Sequence, residues 1–272
     1  MAAVGFSGAV AEFTAAVESY DRFMGRYAAR LAPTFADAAG VGAGMRVLDV
    51  GCGPGALTVE LAGRVGEDNV AAIDPAPQFV AACRARVPGA DVREGVAESL
   101  PWDAGTFDAA MCSLVVAWMD DADQGIGEMA RVTKPGGTVA AAMWDIAGGG
   151  LPMLSHFWRA AREIDPSIAD DPPRAGVREG DLVERFGRAG LQGVTGGTLE
   201  TRVDYSGFDD YWEPFTGGGG PATSAFYGSL DDAGKATLRD LVRASLPEGP
   251  FTLPGRAWLA LGTTPGLAGR SR

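Results

Sequence analysis

The run Val47-Leu48-Asp49-Val50-Gly51-Cys52-Gly53-Pro54-Gly55-Ala56-Leu57 sets three glycines where an apolar, strand-like segment gives way to a helical one. A strand end that runs into a helix start gathers free backbone N–H groups and the positive end of the helix dipole. Glycine there permits positive φ and lets a ligand approach with no Cβ in the way, while Pro54 fixes one φ and stiffens the turn. Gly51, Gly53 and Ala56 also satisfy the dinucleotide pattern G-x-G-x-x-G/A, so the spacing alone admits an NAD-type ligand, or a tight turn with none. Asp74 ends the next strand-like run a little over twenty residues downstream, where a carboxylate can accept both hydroxyls of a ribose.

Other residues with chemical potential are few. His156 is the sole histidine. An imidazole of ordinary pKa, about 6.5, suits proton removal from a hydroxyl at neutral pH, so His156 is the candidate general base; a packed histidine on a helix face is the alternative. Cys52, Cys83 and Cys112 are odd in number and far apart, and imply neither a disulfide framework nor a zinc site. No metal is expected.

The elements that must position these residues follow from periodicity. Strand-like runs fall at 46–50, 70–73, 90–94, 107–116 and 137–144, and Leu57, Leu61 and Val65 recur every four residues as one face of a helix. Strands separated by helices of this length pair in parallel through right-handed crossovers. The expectation is an α/β, Rossmann-like, doubly wound sheet, mostly parallel and seven-stranded, with an antiparallel edge strand and a helical cap over the site. In such a sheet the ligand lies beyond the carboxyl ends of the strands, where the glycines and Asp74 fall. After residue 145 the pattern loosens: Gly148-Gly149-Gly150 reads as a flexible run, followed by breaks at Pro166, Pro172 and Pro173. Helices are expected over 154–164 and 182–189, and a final hairpin-like pair of strands over 198–203 and 257–263. The chain divides into N-terminal cap helices (1–44), a cofactor-binding core (45–145), covering segments (146–190 and 206–250, the latter with a flexible run at 217–220) and final strands (191–205 and 251–265).

The chain has 272 residues, 46% of them hydrophobic and 21% charged, as in an ordinary globular protein. Its net charge of −12 argues against a nucleic-acid backbone or an anionic membrane as partner. No apolar run is long enough to span a bilayer, and Glu12 and Glu18 interrupt the N-terminal stretch, so a cytoplasmic protein is expected, monomeric or homodimeric.

Four stretches, in order, resemble the class I S-adenosylmethionine-dependent methyltransferases, in particular the group that includes the quinone-biosynthesis C-methyltransferases. Leu48 to Gly55 looks like the family's first motif, Asp/Glu-x-Gly-x-Gly-x-Gly, and Asp74 takes the place of its ribose-binding acid. Gly95-Val96-Ala97-Glu98-Ser99-Leu100-Pro101-Trp102 with Phe107-Asp108 is similar to its adenine-side loop. Arg131-Val132-Thr133-Lys134-Pro135-Gly136-Gly137 looks like the Lys/Arg-Pro-Gly-Gly turn before the fifth strand. The resemblance covers residues 45 to 145 well and the remainder loosely, and the second pair of stretches is absent from the NAD fingerprint. It implies S-adenosylmethionine as cofactor and a small-molecule methyl acceptor. The implied cofactor-binding residues are Asp49, Gly51, Cys52, Gly53 and Gly55 in the turn, then Asp74 and Pro75. Val96, Ala97 and Glu98 follow on the adenine side, with Ser113 at the end of the fourth strand. Val96 stands where relatives carry an Asp that bonds the adenine amino group, a departure that weakens this contact. A helix before the sheet, with Tyr20 and Arg26, would close over the methionine end. Aromatic residues in the covering segments (Phe157, Trp158, Tyr211, Trp212, Phe226) point to a hydrophobic or ring-bearing acceptor. An NAD-dependent oxidoreductase and a catalytically silent cofactor binder are the competing readings.

Overall fold

The computed structural model describes residues 17–168 and 174–266. The breaks expected at Pro172 and Pro173, and the first part of the N-terminal cap, lie outside these residues.

Five strands form the parallel part of the sheet: β1 (Val47–Val50), β2 (Val70–Asp74), β3 (Asp91–Glu94), β4 (Phe107–Ser113) and β5 (Thr133–Trp144). Every residue of β1 and β2 is buried, as strands covered on both faces require. The last strands, β6 (Gln192–Tyr205) and β7 (Phe251–Thr263), are longer than their apolar patterns predicted. Their outer halves are held by mutual pairing from Gln192↔Thr263 to Tyr205↔Phe251 rather than by burial. The strand order is β3-β2-β1-β4-β5-β7-β6, with β7 antiparallel to both neighbours. The expected antiparallel pair is therefore at the sheet edge, but the reversed strand lies one position in and β6 takes the edge.

The helices between the strands cover the two faces. Helix α1 (Val17–Tyr20) passes through a π-helical turn at Asp21–Gly25 into α2 (Arg26–Ala38). α3 (Ala56–Val65) follows β1, and α4 (Pro77–Arg86), with proline in its first turn, follows β2. α5 (Ala122–Val132) is capped by the Asp121 carboxylate, which accepts from the Gln124 N–H at 3.0 Å. Alternate residues of β4 and β5 feed separate cores. Ala109, Met111, Ala140 and Ala142 pack under α2 and α3, whereas Ala110, Cys112, Val139 and Ala141 pack under α5.

The cap is built from α6 (Pro152–Ile164), α8 (Phe208–Thr216), α9 (Pro221–Ser229) and α10 (Asp232–Ala244). α7 (Asp181–Arg188) does not belong to it: Leu182 and Phe186 pack in the α5-side core with Met143 and Ala260. The glycines of 148–150 are fastened rather than slack. The Gly148 N–H donates to the Asp145 carboxylate at 2.8 Å, and a Cβ on Gly148 would meet that carboxylate at 2.6 Å. The run at 217–220 is likewise close-packed, since a Cβ on Gly219 or Gly220 would strike the Phe23 side chain.

Candidate functional site

A cavity of about 840 Å³ opens at the carboxyl ends of β1, β2 and β4, where the order of the sheet reverses. Its floor is the glycine turn. The Gly51 and Cys52 N–H groups donate to the Ile73 carbonyl at 2.8 and 3.0 Å, which locks the turn to the end of β2. Gly51 and Gly53 sit at φ +73° and +53°. Their roles differ. A Cβ on Gly51 would collide with Val115 at 2.4 Å, so that glycine serves packing, whereas the nearest atom to a Cβ on Gly53 is the Tyr20 hydroxyl at 4.0 Å, across the cradle. Gly55, at φ +101°, lies beneath the turn and not on the cavity: a Cβ there would meet Cys83 Sγ at 3.0 Å.

Two carboxylates face the same space. Asp74 accepts from the Gly53 N–H at 2.8 Å through Oδ2 and from the Ala76 N–H at 2.9 Å through Oδ1, so both oxygens are oriented before any ligand arrives. Burial raises its pKa, and the two backbone donors oppose that rise. Asp49 is more deeply buried. Its Oδ2 accepts from the Thr58 hydroxyl at 2.7 Å, while its Oδ1 has no protein partner. Burial, with Asp74 nearby, pushes its carboxyl up to about 7. An uncompensated carboxylate oxygen at this depth is costly, and a cationic ligand group would relieve it.

The remaining predicted residues divide. Tyr20, Cys52, Pro75, Val96, Ala97, Glu98 and Ser113 all line the cavity. Tyr20 stands over Phe79, with ring centroids 5.1 Å apart, and burial raises its hydroxyl pKa. Val96 is exposed at the rim, and the Glu98 carboxylate accepts from the Asp121 N–H at 3.2 Å, which ties the adenine-side loop to α5.

Arg26 is elsewhere. Its guanidinium donates to Asp210 at 2.8 Å and to the Asp204 carbonyl at 2.7 Å and lies over the Tyr205 ring, so it joins α2 to the cap. His156 is also turned away. Its Nδ1 is 2.9 Å from the Ser245 hydroxyl and 3.2 Å from Arg159, and burial together with that arginine lowers its pKa. It is absent from the cavity wall, so the structure does not bring the expected base to this space. Of the five aromatic cap residues, only Trp158 lines the cavity. Phe157, Tyr211, Trp212 and Phe226 pack among themselves and with Phe215, Phe157 lying flat on Phe215 at 4.9 Å.

The Lys-Pro-Gly-Gly turn and much of the adenine-side loop are architectural. Lys134 bonds Asp108 at 2.7 Å at the amino end of β5, opposite the cavity. Trp102 turns back into the core and donates to Asp91 at 3.0 Å.

Sequence reasoning missed Phe23, Leu114, Trp118, Arg162, Arg174 and Arg178, which line the cavity too. Leu114 carries φ +67° just past β4, a conformation that a leucine gives no hint of. The others stand on segments whose pattern carries no ligand signature.

Residues 48–141 match the family described as "Methyltransferase domain". Among curated proteins, the chain is 36% identical over 118 residues to the malonyl-[acyl-carrier protein] O-methyltransferase of Pectobacterium atrosepticum, which covers 43% of this chain and 44% of that protein. It is 42% identical over 95 residues to an uncharacterized methyltransferase of Mycobacterium tuberculosis, covering 35% of this chain and 38% of that one. The chain thus spans less than half the length of these relatives. Among solved structures, the Haloferax volcanii protein in complex with the Trm112 methyltransferase activator superposes with a TM-score of 0.59. The identity is 19%, and the match covers 95% of this chain and 98% of that one. The reversed β7 inside the sheet edge also sets this fold apart from the order 3-2-1-4-5-6 of dinucleotide-binding dehydrogenases. Over residues 48–141 the chain thus resembles the methyltransferase domain, on a sheet shared with solved methyltransferases.

Proposed function

We propose that this protein transfers the methyl group of S-adenosylmethionine to a small molecule with an apolar body. The observation that carries the reading is the pairing, within one cavity, of a preorganised nucleoside cradle with a partnerless buried carboxylate oxygen at Asp49. Asp74, held by the Gly53 and Ala76 amides, would accept the ribose hydroxyls. Val96, Ala97 and Glu98 would flank the adenine, and Asp49 and Tyr20 would meet the cationic amino-acid end. The bound cofactor supplies an activated sulfonium methyl group, so the protein has chiefly to align the acceptor and exclude water.

The walls suit that task. Phe23 and Met24 from the π-helical turn, Leu151, Leu154 and Trp158 from the cap, and Trp144 from β5 give the acceptor end an apolar lining. Among the described residues no histidine reaches this space, which favours alignment over base catalysis. The acceptor in the name of the Pectobacterium relative, malonyl-[acyl-carrier protein], is consistent with a small acyl or related molecule as substrate.

Two measurements test this. S-adenosylhomocysteine should raise the melting temperature while NAD does not, because a ligand bound only by the folded state stabilises it. Labelled S-adenosylmethionine with a metabolite extract should release S-adenosylhomocysteine. Binding without release points to a silent binder, and an equal shift with NAD overturns the reading.

A further inference from the structure

Two cysteines that are distant in sequence meet beneath the glycine turn. Cys52 stands between Gly51 and Gly53 and lines the cavity, whereas Cys83, on α4, is fully buried and off the wall. The fold packs both into one small core with Ala72, Val80 and Val92, while Cys112 lies in the α5-side core. Cys83 Sγ sits close under the turn: a Cβ on Gly55 would come within 3.0 Å of it, and the Gly55 N–H donates to the Cys52 carbonyl at 3.0 Å. The two thiols share a hydrogen bond.

From this pair a chain of contacts runs to the Asp49 carboxylate. The Cys83 thiol donates to the Thr58 hydroxyl at 3.4 Å, and that hydroxyl donates to Asp49 Oδ2 at 2.7 Å. The hydrogen bond with Cys52 lowers the Cys83 pKa against the opposing effect of burial; the same bond, with burial, raises that of Cys52. Cys52 is thus the thiol that a small molecule in the cavity reaches, and Cys83 the one that ionises more readily.

We propose that Cys52 and Cys83 form a reversible redox site, at which a peroxide that enters the cavity turns the two thiols into a disulfide and closes the cradle to S-adenosylmethionine. The Cys52 sulfur attacks one peroxide oxygen, the O–O bond breaks, and the first water leaves with the thiol proton; Cys52 is then a sulfenic acid. The Cys83 sulfur displaces that oxygen and an S–S bond forms. The second water carries off the hydroxyl and the Cys83 proton. The two thiols lose two electrons and two protons, and one hydrogen peroxide becomes two waters. The new bond is far shorter than the hydrogen-bonded contact it replaces, so it draws Cys52 toward α4. The turn has no slack to absorb this, because the Gly51 and Cys52 amides are tied to Ile73 and the Gly53 amide to Asp74. The effect on the cofactor rests on the methyltransferase reading above; the thiol pair does not.

The test uses the full chain, reduced with dithiothreitol, freed of it and treated with a small molar excess of hydrogen peroxide. Mass spectrometry of the digest should show the Cys52 and Cys83 peptides joined and Cys112 free, and dithiothreitol should part the pair. In calorimetric titrations S-adenosylhomocysteine should bind the reduced chain about tenfold or more tightly than the oxidised one. By linkage, saturating S-adenosylhomocysteine should slow crosslinking by about tenfold or more. With diamide, which couples thiols, the parent should lose affinity while Cys83→Ala keeps whatever affinity it had before treatment. Should that variant fold poorly, the protection of the parent by S-adenosylhomocysteine decides. The redox site falls if both thiols stay free, if Cys52 pairs instead with Cys112 or with a second molecule, or if S-adenosylhomocysteine leaves the crosslinking rate unchanged. It falls too if the crosslinked chain binds as tightly as the reduced one. A reduced chain that does not bind S-adenosylhomocysteine overturns the proposed function, and the effect on the cofactor with it, whereas a missing crosslink overturns the redox site alone.

Discussion

The floor of the cavity and its roof hold their residues in place by different means. On the floor, Asp74 is fastened by the Gly53 and Ala76 amides and Asp49 by Thr58, all within the stretch from β1 to the start of α4. In the roof, α6 is placed by contacts from distant parts of the chain. Tyr211 donates to the Met153 carbonyl at 2.7 Å across 58 residues, Phe157 stacks on Phe215, and Arg256 pairs with Asp145 below the 148–150 turn. The floor presents backbone amides and carboxylates that, in the proposed function, would hold S-adenosylmethionine. The roof presents side chains whose identity depends on packing and which, in the proposed function, would meet the acceptor. Damage to the floor should therefore appear as lost cofactor affinity in a folded protein, and damage to the roof as lost stability.

The sharpest contrast comes from Gly53→Val. A β-branched residue at φ +53° is strained, and its side chain would enter the cradle toward Tyr20. S-adenosylhomocysteine affinity should fall by at least about 4 kcal/mol, roughly a thousandfold, in a calorimetric titration. A variant that folds and binds normally would show the turn to be only a turn.

The roof counterpart is Phe157→Ala. This ring is fully buried in the aromatic stack, so its removal should cost about 3–5 kcal/mol of stability in denaturant unfolding. Cofactor affinity of the folded fraction should stay within about threefold. Equal loss of both would mean that floor and roof are not separable.

Asp74→Ala sharpens the floor side. Two hydrogen bonds to a charged acceptor imply a loss of about 2–4 kcal/mol, or some thirty- to a thousandfold in Kd. The same change frees the Gly53 amide, so part of the loss would come from a loosened turn. Under threefold change would remove Asp74 from the ribose.

A smaller effect is expected from pH. Burial holds the Asp49 carboxyl at about 7, above the ordinary 3.8. The folded state thus keeps a proton that the unfolded chain releases, and this group's contribution to apo stability declines from about pH 4 and levels off above 7. A cationic ligand prefers the ionised form, so S-adenosylmethionine affinity should rise with pH through about 7 and then flatten. Asp49→Asn should abolish both slopes; a pH profile that is unchanged in the variant would dissociate Asp49 from the cofactor.

The smallest effect is expected from His156→Gln, in the roof and off the cavity. Loss of its contact with Ser245 should cost about 1 kcal/mol of stability, and turnover should remain within a few-fold of the parent. A drop of about a hundredfold would restore the histidine as a base.

What was readable in the sequence is what short-range physics controls. Val47–Val50 running into Gly51, Gly53 and Pro54, with Asp74 at the next strand end, was legible as a glycine turn at the carboxyl edge of a parallel sheet, because φ preferences and burial period act locally. Where a side chain points depends instead on partners far away in sequence. Arg26 was drawn to Asp210, and His156 to Ser245, by pairing that only folding brings about. The cap aromatics satisfied one another rather than a ligand, since mutual burial of four rings is favourable wherever the helices meet. Arg162, Arg174 and Arg178 carry no local ligand signature and reach the cavity wall only because α6 and the segment before α7 converge on it. The sequence by itself determined the glycine turn and the sheet that holds it, which are set by local φ preference and burial period; tertiary packing alone decided which distant side chains line the cavity.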